Sequence, residues 1–473
     1  MKTLIWYRND LRIEDHEPLV RASDEGQVVA LYCFDPRQFK ELNYGFSKTE
    51  SIRAQFLIES IQTLREKLRE MEGDLLIRIG KPEDIIPDLV DKFKIDQLFY
   101  HAEVTSEEIF VEDRVQNSVE IRSRRFWGHE MYHPDDLPFS LDEIPGVFTQ
   151  FRKKVEKKSE VRKPLPVPDH VDFVDINQPG EMPELKDLDL QNTNIDQRAV
   201  LNFKGGEDEA WKRLKHYFFE SDELRNYKYK RNGLLGADFS SKFSPWLANG
   251  SISARSIHHQ VEKYEKKVHK NVSTYWMKFE LIWRDYFRYS ARKHGNKIFQ
   301  LGGIQEKDLD KRTDHGTFEK WKEGETGIPF IDANMRELMV TGYMSNRGRQ
   351  NVASFLAQNL NFDWRWGAAW FESLLLDYDV CSNWGNWAYN STVGHDPRNR
   401  YFNIVGQAQK YDSNGEYVRH WLPELKYVPD EFVHEPWKMS EDQQKLNECV
   451  IGEDYPKPMI DLEESYDEIR QRD

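Results

Sequence analysis

The chain has 473 residues, of which 38% are hydrophobic and 32% are charged, and its net charge is −15. This length predicts two or three domains. The strong negative charge excludes non-specific nucleic-acid binding by the surface as a whole, although not by a local basic cleft. Three widely separated cysteines, Cys33, Cys381 and Cys449, form neither a disulfide framework nor a metal-ligand spacing.

The sequence offers no membrane-spanning segment and no targeting segment. No apolar run approaches the ~20 residues needed to cross a bilayer. Residues 1–8 begin a strand pattern directly, which leaves no room for a signal or transit peptide. With the isolated cysteines, this predicts a cytoplasmic protein without a membrane partner.

Residues 1–130 carry the pattern of an α/β domain. Short apolar runs at residues 3–7, 28–34, 75–79 and 97–100 alternate with helical patterns, and the clearest helix covers residues 50–71. This alternation predicts a Rossmann-like parallel sheet. The segment has no glycine-rich dinucleotide or triphosphate motif, so nothing local supports such a ligand on the sheet.

The remaining chain divides into three parts by composition. Residues 131–204 predict an interdomain connector, and the stretch 161–197 is rich in Pro, Asp and Asn with little periodicity. Residues 205–440 predict an all-helical domain. Residues 441–473 form an acidic C-terminal segment that is poor in long apolar runs.

The most informative stretch is residues 377–389. It combines the carboxylates of Asp377 and Asp379 with the amides of Asn383 and Asn386, and it interleaves them with large aromatic residues. This mixture is typical of a buried pocket wall, where polar groups meet a planar polar ligand and rings pack against its faces. Just upstream, residues 341–351 add arginines and further amides.

Residues 227–247 combine a glycine-containing basic loop with a helix start. Ser244 is a good N-cap, Pro245 suits the first turn, and Ser240, Ser241 and Lys242 precede them. Hydroxyls, an ammonium group and free backbone N–H groups at a helix start can bind a diphosphate. A capped helix after a polar turn explains these residues equally well, so they leave both interpretations open.

Residues 276–293 predict an amphipathic helix. Its aromatic stripe is accompanied by Glu280, Arg284 and Arg288 at i, i+4 spacing. A core helix bearing a surface ion-pair ladder is the more ordinary explanation of such a pattern.

Together, residues 341–351 and 377–389 resemble the flavin-binding core of the photolyase/cryptochrome family. The resemblance extends from residues 6–12 to 421–425, and residues 231–236, 346–352, 384–387 and 393–398 resemble the cryptochrome DASH branch. It implies an α/β N-terminal domain followed by an all-α FAD-binding domain, with no metal. The residues that it assigns to FAD are Tyr227, Ser240, Ser241, Lys242, Phe243, Ser244, Arg284, Asn346, Arg349, Asp377, Asp379 and Asn383.

The resemblance also assigns a DNA-lesion side to the pocket. It places Glu280, Trp283, Gln350 and Tyr389 against the damaged bases, and Asn383 against the flavin N5. Arg231, Arg347, Arg398 and Arg400 are expected on DNA phosphate, with Lys228 and Lys230 as further candidates. Each of these basic residues, considered alone, is more ordinarily a solvent-exposed charge.

Two tryptophans are expected to deliver electrons to photoexcited FAD, with Trp387 proximal and Trp364 next. Core packing is the ordinary explanation of such residues, but an indole ring can carry a transient radical. The third tryptophan of the family chain should fall at Lys311, where this sequence has none. We therefore expect slow photoreduction or a substitute exit, with Trp366 and Trp321 as candidates.

The activity implied by the resemblance is repair of cyclobutane pyrimidine dimers under blue or near-UV light, chiefly in single-stranded DNA. Gln350 and Tyr389 make the lesion pocket more polar than in ordinary photolyases, and a single strand requires no unpairing of the lesion. Duplex DNA and RNA remain open as further partners, and we expect a monomer. The alternative function is a blue-light receptor or DNA-binding regulator without turnover.

An antenna is expected between the two domains. The resemblance implies methenyltetrahydrofolate, contacted by Glu103 in the segment 101–108. Glu103 could equally cap the helix that follows it, so the residue alone does not decide its role.

Overall fold

The structure is a computed structural model and describes residues 1–396, 398 and 401–472. Its N-terminal part is a parallel five-stranded sheet with the strand order β3-β2-β1-β4-β5. The strands are β1 (Lys2–Tyr7), β2 (Gln27–Phe34), β3 (Leu75–Ile79), β4 (Gln97–His101) and β5 (Arg122–Phe126). Helices α1 (Glu17–Glu25), α2 (Ser51–Glu70), α3 (Pro82–Phe93) and α4 (Ser106–Ser118) alternate with them.

The four strands predicted from apolar runs are present, and one strand was missed. Strands β1, β2 and β4 are almost wholly buried and β3 is buried over residues 75–77, as expected for a parallel sheet covered on both faces. Strand β5 has the sequence Arg-Ser-Arg-Arg-Phe and lies at the sheet edge, with only Phe126 fully buried. Strand β3 forms the opposite edge and is apolar, so the arginine-rich sequence of β5, and not its edge position alone, explains why periodicity could not reveal it.

Beyond the sheet, the regular elements of the described chain are mainly helices, which confirms the predicted fold class. The helices are α5 (Phe148–Lys158), α6 (Glu207–Lys215), α7 (Tyr227–Lys230), α8 (Ser244–Ala248), α9 (Ala254–Lys267), α10 (Val272–His294), α11 (His315–Glu323), α12 (Pro329–Thr341), α13 (Asn346–Ser354), α14 (Trp364–Leu374), α15 (Val380–Asn390), α16 (Ile404–Tyr411), α17 (Glu416–Trp421), α18 (Glu441–Leu446) and α19 (Leu462–Arg472).

Helix α10 joins the helical part to the sheet. Its Arg288 is buried and pairs with Glu103 at 2.8 Å and Glu130 at 2.6 Å. Burial opposes the charge on Arg288, but the two carboxylates outweigh it and raise its pKa well above the usual value. The interpretation of this helix as the carrier of a surface ion-pair ladder is therefore wrong, because Arg288 is buried and binds acidic residues of other segments.

The proline-rich stretch 161–197 is an ordered cover on the sheet. Phe173 forms a parallel bridge with Val28 of β2, and Leu185 and Leu188 are buried in the same apolar cluster as the strands. Its lack of periodicity reflects a chain that follows the surface of the sheet with one short 3-10 helix, Leu185–Leu188.

The acidic C-terminal segment packs onto the helical part. The Tyr455 hydroxyl donates to Asp332 at 2.5 Å, and the Tyr466 hydroxyl accepts from the backbone N–H of Ile404 at 2.9 Å. Both tyrosines are buried. The domain boundaries that we assign remain predictions. Within the described residues, no helix has the length and apolarity that a bilayer crossing requires.

Candidate functional site

A cavity of about 310 Å³ lies in the helical part. Its walls come from α7, the loop before α8, α10, α13 and α15. Every residue assigned to FAD lines this cavity: Tyr227, Ser240, Ser241, Lys242, Phe243, Ser244, Arg284, Asn346, Arg349, Asp377, Asp379 and Asn383. Segments that lie as far apart as residues 227 and 383 in sequence thus converge on one ligand-sized space.

The serine-rich loop forms one end of the cavity. Helix α8 has Phe243 as its N-cap and makes no side-chain cap, so the prediction that Ser244 caps the helix is wrong by one residue. The loop is held by Arg213, whose guanidinium donates to the backbone carbonyls of Ser240 at 3.0 Å and Ser241 at 2.9 Å. No sequence motif marks Arg213, which lies on α6.

Lys242 is the cation of this loop. It has a left-handed φ of 55° and is only 3% exposed. Its Nζ donates to the Gly236 carbonyl at 3.2 Å and lies 3.3 Å from the centre of the Phe239 ring. Burial, and after it the charge of Arg213, lowers the pKa of Lys242 to about 6. An anion in the cavity would favour the protonated form.

We expect FAD binding at pH 7–8 to take up a proton at Lys242. Above a pKa of about 6 the free protein holds this amine mostly neutral. Because a diphosphate stabilises the ammonium, the pKa rises in the complex, and affinity falls as the pH increases between the two values. Calorimetric titration of apoprotein with FAD, in buffers of different ionisation enthalpy, measures the uptake.

The variant Lys242→Met should lose this uptake, whereas Lys230→Met, which removes a surface ion pair with Glu223, should keep it. Equal proton uptake in the wild type and in Lys242→Met would contradict the assignment of the titrating group.

The aspartates form another wall. Asp377 accepts from Arg349 through Oδ2 at 2.9 Å, while its buried Oδ1 has no hydrogen-bond partner. Asp379 accepts from the backbone N–H of Ser382 at 2.7 Å and is the N-cap of α15. A buried acceptor without a donor is costly unless a ligand supplies one. The cavity therefore fits a ligand with hydroxyl or N–H donors, which FAD has.

Asn383 presents one specific atom to the cavity. Its Nδ2 donates to the Ala368 carbonyl at 3.0 Å, so the amide is fixed by α14. Its Oδ1 receives no donor from the described residues. This geometry offers an acceptor to an N–H of a ring in the cavity, which suits the expected position against the flavin N5.

Glu280 and Arg231 both line the cavity and bind each other. Arg231 Nη1 donates to Glu280 Oε1 at 2.7 Å. Burial raises the pKa of Glu280, and Arg231 partly opposes this effect. Gln350 also lines the cavity, and its buried Oε1 has no partner. Two residues predicted to contact the bases and one predicted to contact phosphate therefore meet in one place.

Trp283 and Tyr389 do not line the cavity. The Trp283 indole stacks on Phe148, with ring centres 3.6 Å apart and planes at 11°, and it meets Tyr389 edge-on at 6.3 Å. Phe148 therefore covers one face of the ring that we expected to stack on the lesion. No sequence signal marks Phe148, because it begins α5, more than a hundred residues from α10.

Two further predicted DNA contacts, Arg347 and Arg398, do not line the cavity. Arg347 donates to Asn232 at 3.2 Å and to Gln407 at 3.3 Å. The Arg398 side chain is 68% exposed and pairs with Asp396 at 3.2 Å. Arg400 lies outside the described residues. No contact tests the phosphate roles, which remain predictions.

Trp387 lines the cavity and packs against helix α14. It is 2% exposed, and its six-membered ring lies against Gly367, where a Cβ atom would come within 2.3 Å of the indole. Gly367 is one turn after Trp364 on α14, so both indoles lie on the same face of this helix. Trp364 is fully buried.

A second cavity, of about 330 Å³, lies between the sheet and the helical part. Glu103 lines it, and its carboxylate accepts from Asn9 at 3.0 Å and Arg288 at 2.8 Å. Burial opposes the charge on Glu103, but Arg288 and Arg8 outweigh it and lower its pKa. The N-cap of α4 is Thr105, so Glu103 does not cap that helix.

The fold and the first cavity together define an FAD-binding protein class. Residues 3–169 match the family model for DNA photolyase, and residues 276–472 match that for the FAD binding domain of DNA photolyase. The chain belongs to the photolyase/cryptochrome family.

Within this family it belongs to the cryptochrome DASH branch. It is 53% identical to cryptochrome DASH of Gloeobacter violaceus, over 98% of this chain and 93% of that protein. It is 47% identical to cryptochrome DASH of Xenopus laevis, over 98% and 91%.

Solved structures of the photolyase/cryptochrome family match over nearly the whole chain. The Synechocystis cryptochrome matches with a TM-score of 0.97 at 47% identity, covering 100% of this chain and 99% of that one. A bacterial class III photolyase from Agrobacterium tumefaciens matches with a TM-score of 0.86 at 25% identity, covering 99% and 98%.

Proposed function

We propose that the protein repairs cyclobutane pyrimidine dimers under blue or near-UV light, chiefly in single-stranded DNA, with FAD in the cavity of α10, α13 and α15. The supporting observation is that Glu280 and Gln350 line the same cavity as the FAD residues. A carboxyl and an amide can hydrogen-bond the edges of two pyrimidines, and their position puts those bases beside the cofactor.

In the proposed mechanism, FAD supplies a light-driven electron when it is bound and reduced. The chain's residues bind and orient the reactants. Arg349 and Asp377 would hold the cofactor, Asn383 Oδ1 would accept a hydrogen bond from an N–H of its ring, and Trp387 lines the same cavity. Glu280, whose pKa is raised by burial, can donate from its protonated form to a pyrimidine carbonyl.

Lesion binding must open the ion pair between Arg231 and Glu280. Once Arg231 turns to a DNA phosphate, Glu280 loses the charge that favours its ionised form and becomes a better hydrogen-bond donor. Binding of the strand and protonation of Glu280 are therefore coupled.

The preference for single strands follows from a lesion side with little stacking surface. Phe148 occupies one face of Trp283, and Gln350 offers an amide, so few interactions remain to offset the unpairing of a duplex. The decisive experiment illuminates purified protein with dimer-containing single-stranded DNA, duplex DNA and RNA, and counts restored pyrimidines. Absence of repair in all three would favour a receptor without turnover.

We also propose methenyltetrahydrofolate as an antenna in the second cavity. The lowered pKa of Glu103 keeps it ionised, so it can accept from the N–H groups of a pteridine ring. The cavity is close to the flavin site, because Ala248, Tyr378 and Asp379 line both. Such proximity is what energy transfer between two chromophores requires.

The variant Glu103→Gln should copurify without the folate and with unchanged FAD, because the charged acceptor is lost while Glu130 still pairs with Arg288. Absorption spectra of the denatured supernatant measure both. The control is Glu107→Gln, since Glu107 lines the same cavity with a 71% exposed side chain. Folate retained in Glu103→Gln, or lost equally from both, would contradict this assignment.

A further inference from the structure

The position of the expected third tryptophan is occupied by a helix-capping lysine. Lys311 Nζ donates to the Ala357 carbonyl at 3.0 Å and to Asn361 Oδ1 at 2.7 Å. It thus binds the C-terminal end of the helical turn Phe355–Asn359, where a cation is favoured. A saturated ammonium side chain cannot carry an electron hole, so an exit from Trp364 must use another ring.

The ring geometry singles out Trp384 as the neighbour of Trp364. Their ring centres are 5.7 Å apart and their planes meet at 71°, an edge-to-face contact. Trp384 is on α15, is only partly buried, and packs on Phe299 at 5.0 Å. It therefore connects a fully buried indole with the protein surface.

The two substitutes expected from the sequence have less suitable contacts. Trp366 has ring contacts with Tyr44 and Phe318, at 4.9 and 5.2 Å, and the described rings give it none with Trp364. Trp321 lies 6.1 Å from Trp387 but is fully buried. Its other ring contacts are Phe318 and Phe371, at 5.7 and 6.5 Å, and phenyl rings are much harder to oxidise than an indole.

We propose that Trp384 is the terminal electron carrier of this chain, reached from Trp387 through Trp364. It can have this role only with FAD in the cavity, so the inference rests on the proposed function. One electron passes from Trp387 to the photoexcited cofactor, Trp364 refills Trp387, and Trp384 refills Trp364. An external thiol then returns one electron to Trp384, and two oxidised thiols join as a disulfide with release of two protons.

The test follows the tryptophan radical by transient absorption after a blue flash, in FAD-loaded protein with and without an external thiol. In Trp384→Phe we expect the long-lived radical to be lost and photoreduction by thiol to fall, because the ring still packs on Phe299 but cannot be oxidised. Trp366→Phe and Trp321→Phe should behave as wild type. FAD content is measured for every variant, so that loss of the cofactor is not mistaken for loss of the electron-transfer route.

A wild-type radical lifetime in Trp384→Phe, or loss of the long-lived radical in Trp366→Phe or Trp321→Phe, would overturn the inference. The double variant Lys311→Trp/Trp384→Phe adds the usual exit and should restore the radical. If the double variant retains FAD but its tryptophan radical is still short-lived, Trp384 acts through packing alone. This result too would overturn the inference.

Repair by chemically reduced protein separates this inference from the proposed function, since repair then needs no electron from the tryptophans. Wild-type protein that repairs no lesion, but loses its radical in Trp384→Phe, refutes the function and supports the exit. If the wild-type protein repairs lesions but the long-lived radical persists in Trp384→Phe, the proposed function is supported and the exit through Trp384 is refuted.

Discussion

Replacing Asp377 and Asp379 together with alanine should abolish FAD retention during purification. Asp377 contributes a buried oxygen that no protein donor satisfies, and it also positions Arg349. Asp379 lines the same cavity. Loss of hydrogen bonds to charged groups costs about 1.5–3 kcal/mol each, so two losses weaken binding by orders of magnitude. The ratio of flavin to protein absorbance measures retention.

Asp379 also caps α15, so a control must separate cofactor loss from helix loss. Asp363 caps α14 and pairs with Arg365, and it does not line the cavity. The variant Asp363→Ala should lose about 1 kcal/mol of stability and keep its FAD. A double aspartate variant that folds, by far-UV circular dichroism, and carries full FAD would refute the assignment of residues 377–389.

Glu280→Gln should reduce repair of single-stranded DNA by about tenfold to a hundredfold while leaving FAD content unchanged. The amide N–H of glutamine still donates a hydrogen bond, but it is far less acidic than a carboxyl O–H and stabilises charge on the pyrimidine carbonyl less well. Repair of duplex DNA should be weaker than that of single strands in both proteins. Restored thymines per absorbed photon, at saturating oligonucleotide, measure the effect.

A matched control is Glu223→Gln, which breaks the ion pair of Glu223 with Lys230 beside the cavity but does not touch its lining. It should repair as wild type. Equal repair of duplex and single strands by the wild type would contradict the expected preference. Unchanged repair in Glu280→Gln would remove this carboxyl from the lesion site.

The fold could be predicted in the segments where burial requires apolar residues. Strands β1, β2 and β4 lie inside the sheet, and β3, at one edge, is buried over residues 75–77, so short hydrophobic runs revealed all four. Strand β5 lies at an edge, where Arg122 and Arg125 are exposed to solvent, and nothing in its pattern distinguishes it from a loop. The helix predicted over residues 276–293 was found as Val272–His294, since one long apolar stripe fixes its period.

The site was predictable as a set of residues and much less as a geometry. The resemblance supplied the FAD residues, and all of them line one cavity. The pair of Arg231 with Glu280, and the stacking of Phe148 on Trp283, join segments that are far apart in the chain. Such contacts depend on how helices pack, which local spacing does not encode.

The wall shared by Ala248, Tyr378 and Asp379 has a thermodynamic consequence. Any ligand that shifts this wall from one side alters the free energy of binding on the other. Such coupling is reciprocal, so the factor by which an occupied second cavity changes flavin affinity equals the factor by which flavin changes affinity for the second ligand. Titration of flavin with and without the second ligand, and of the second ligand with and without flavin, would therefore have to give the same coupling factor.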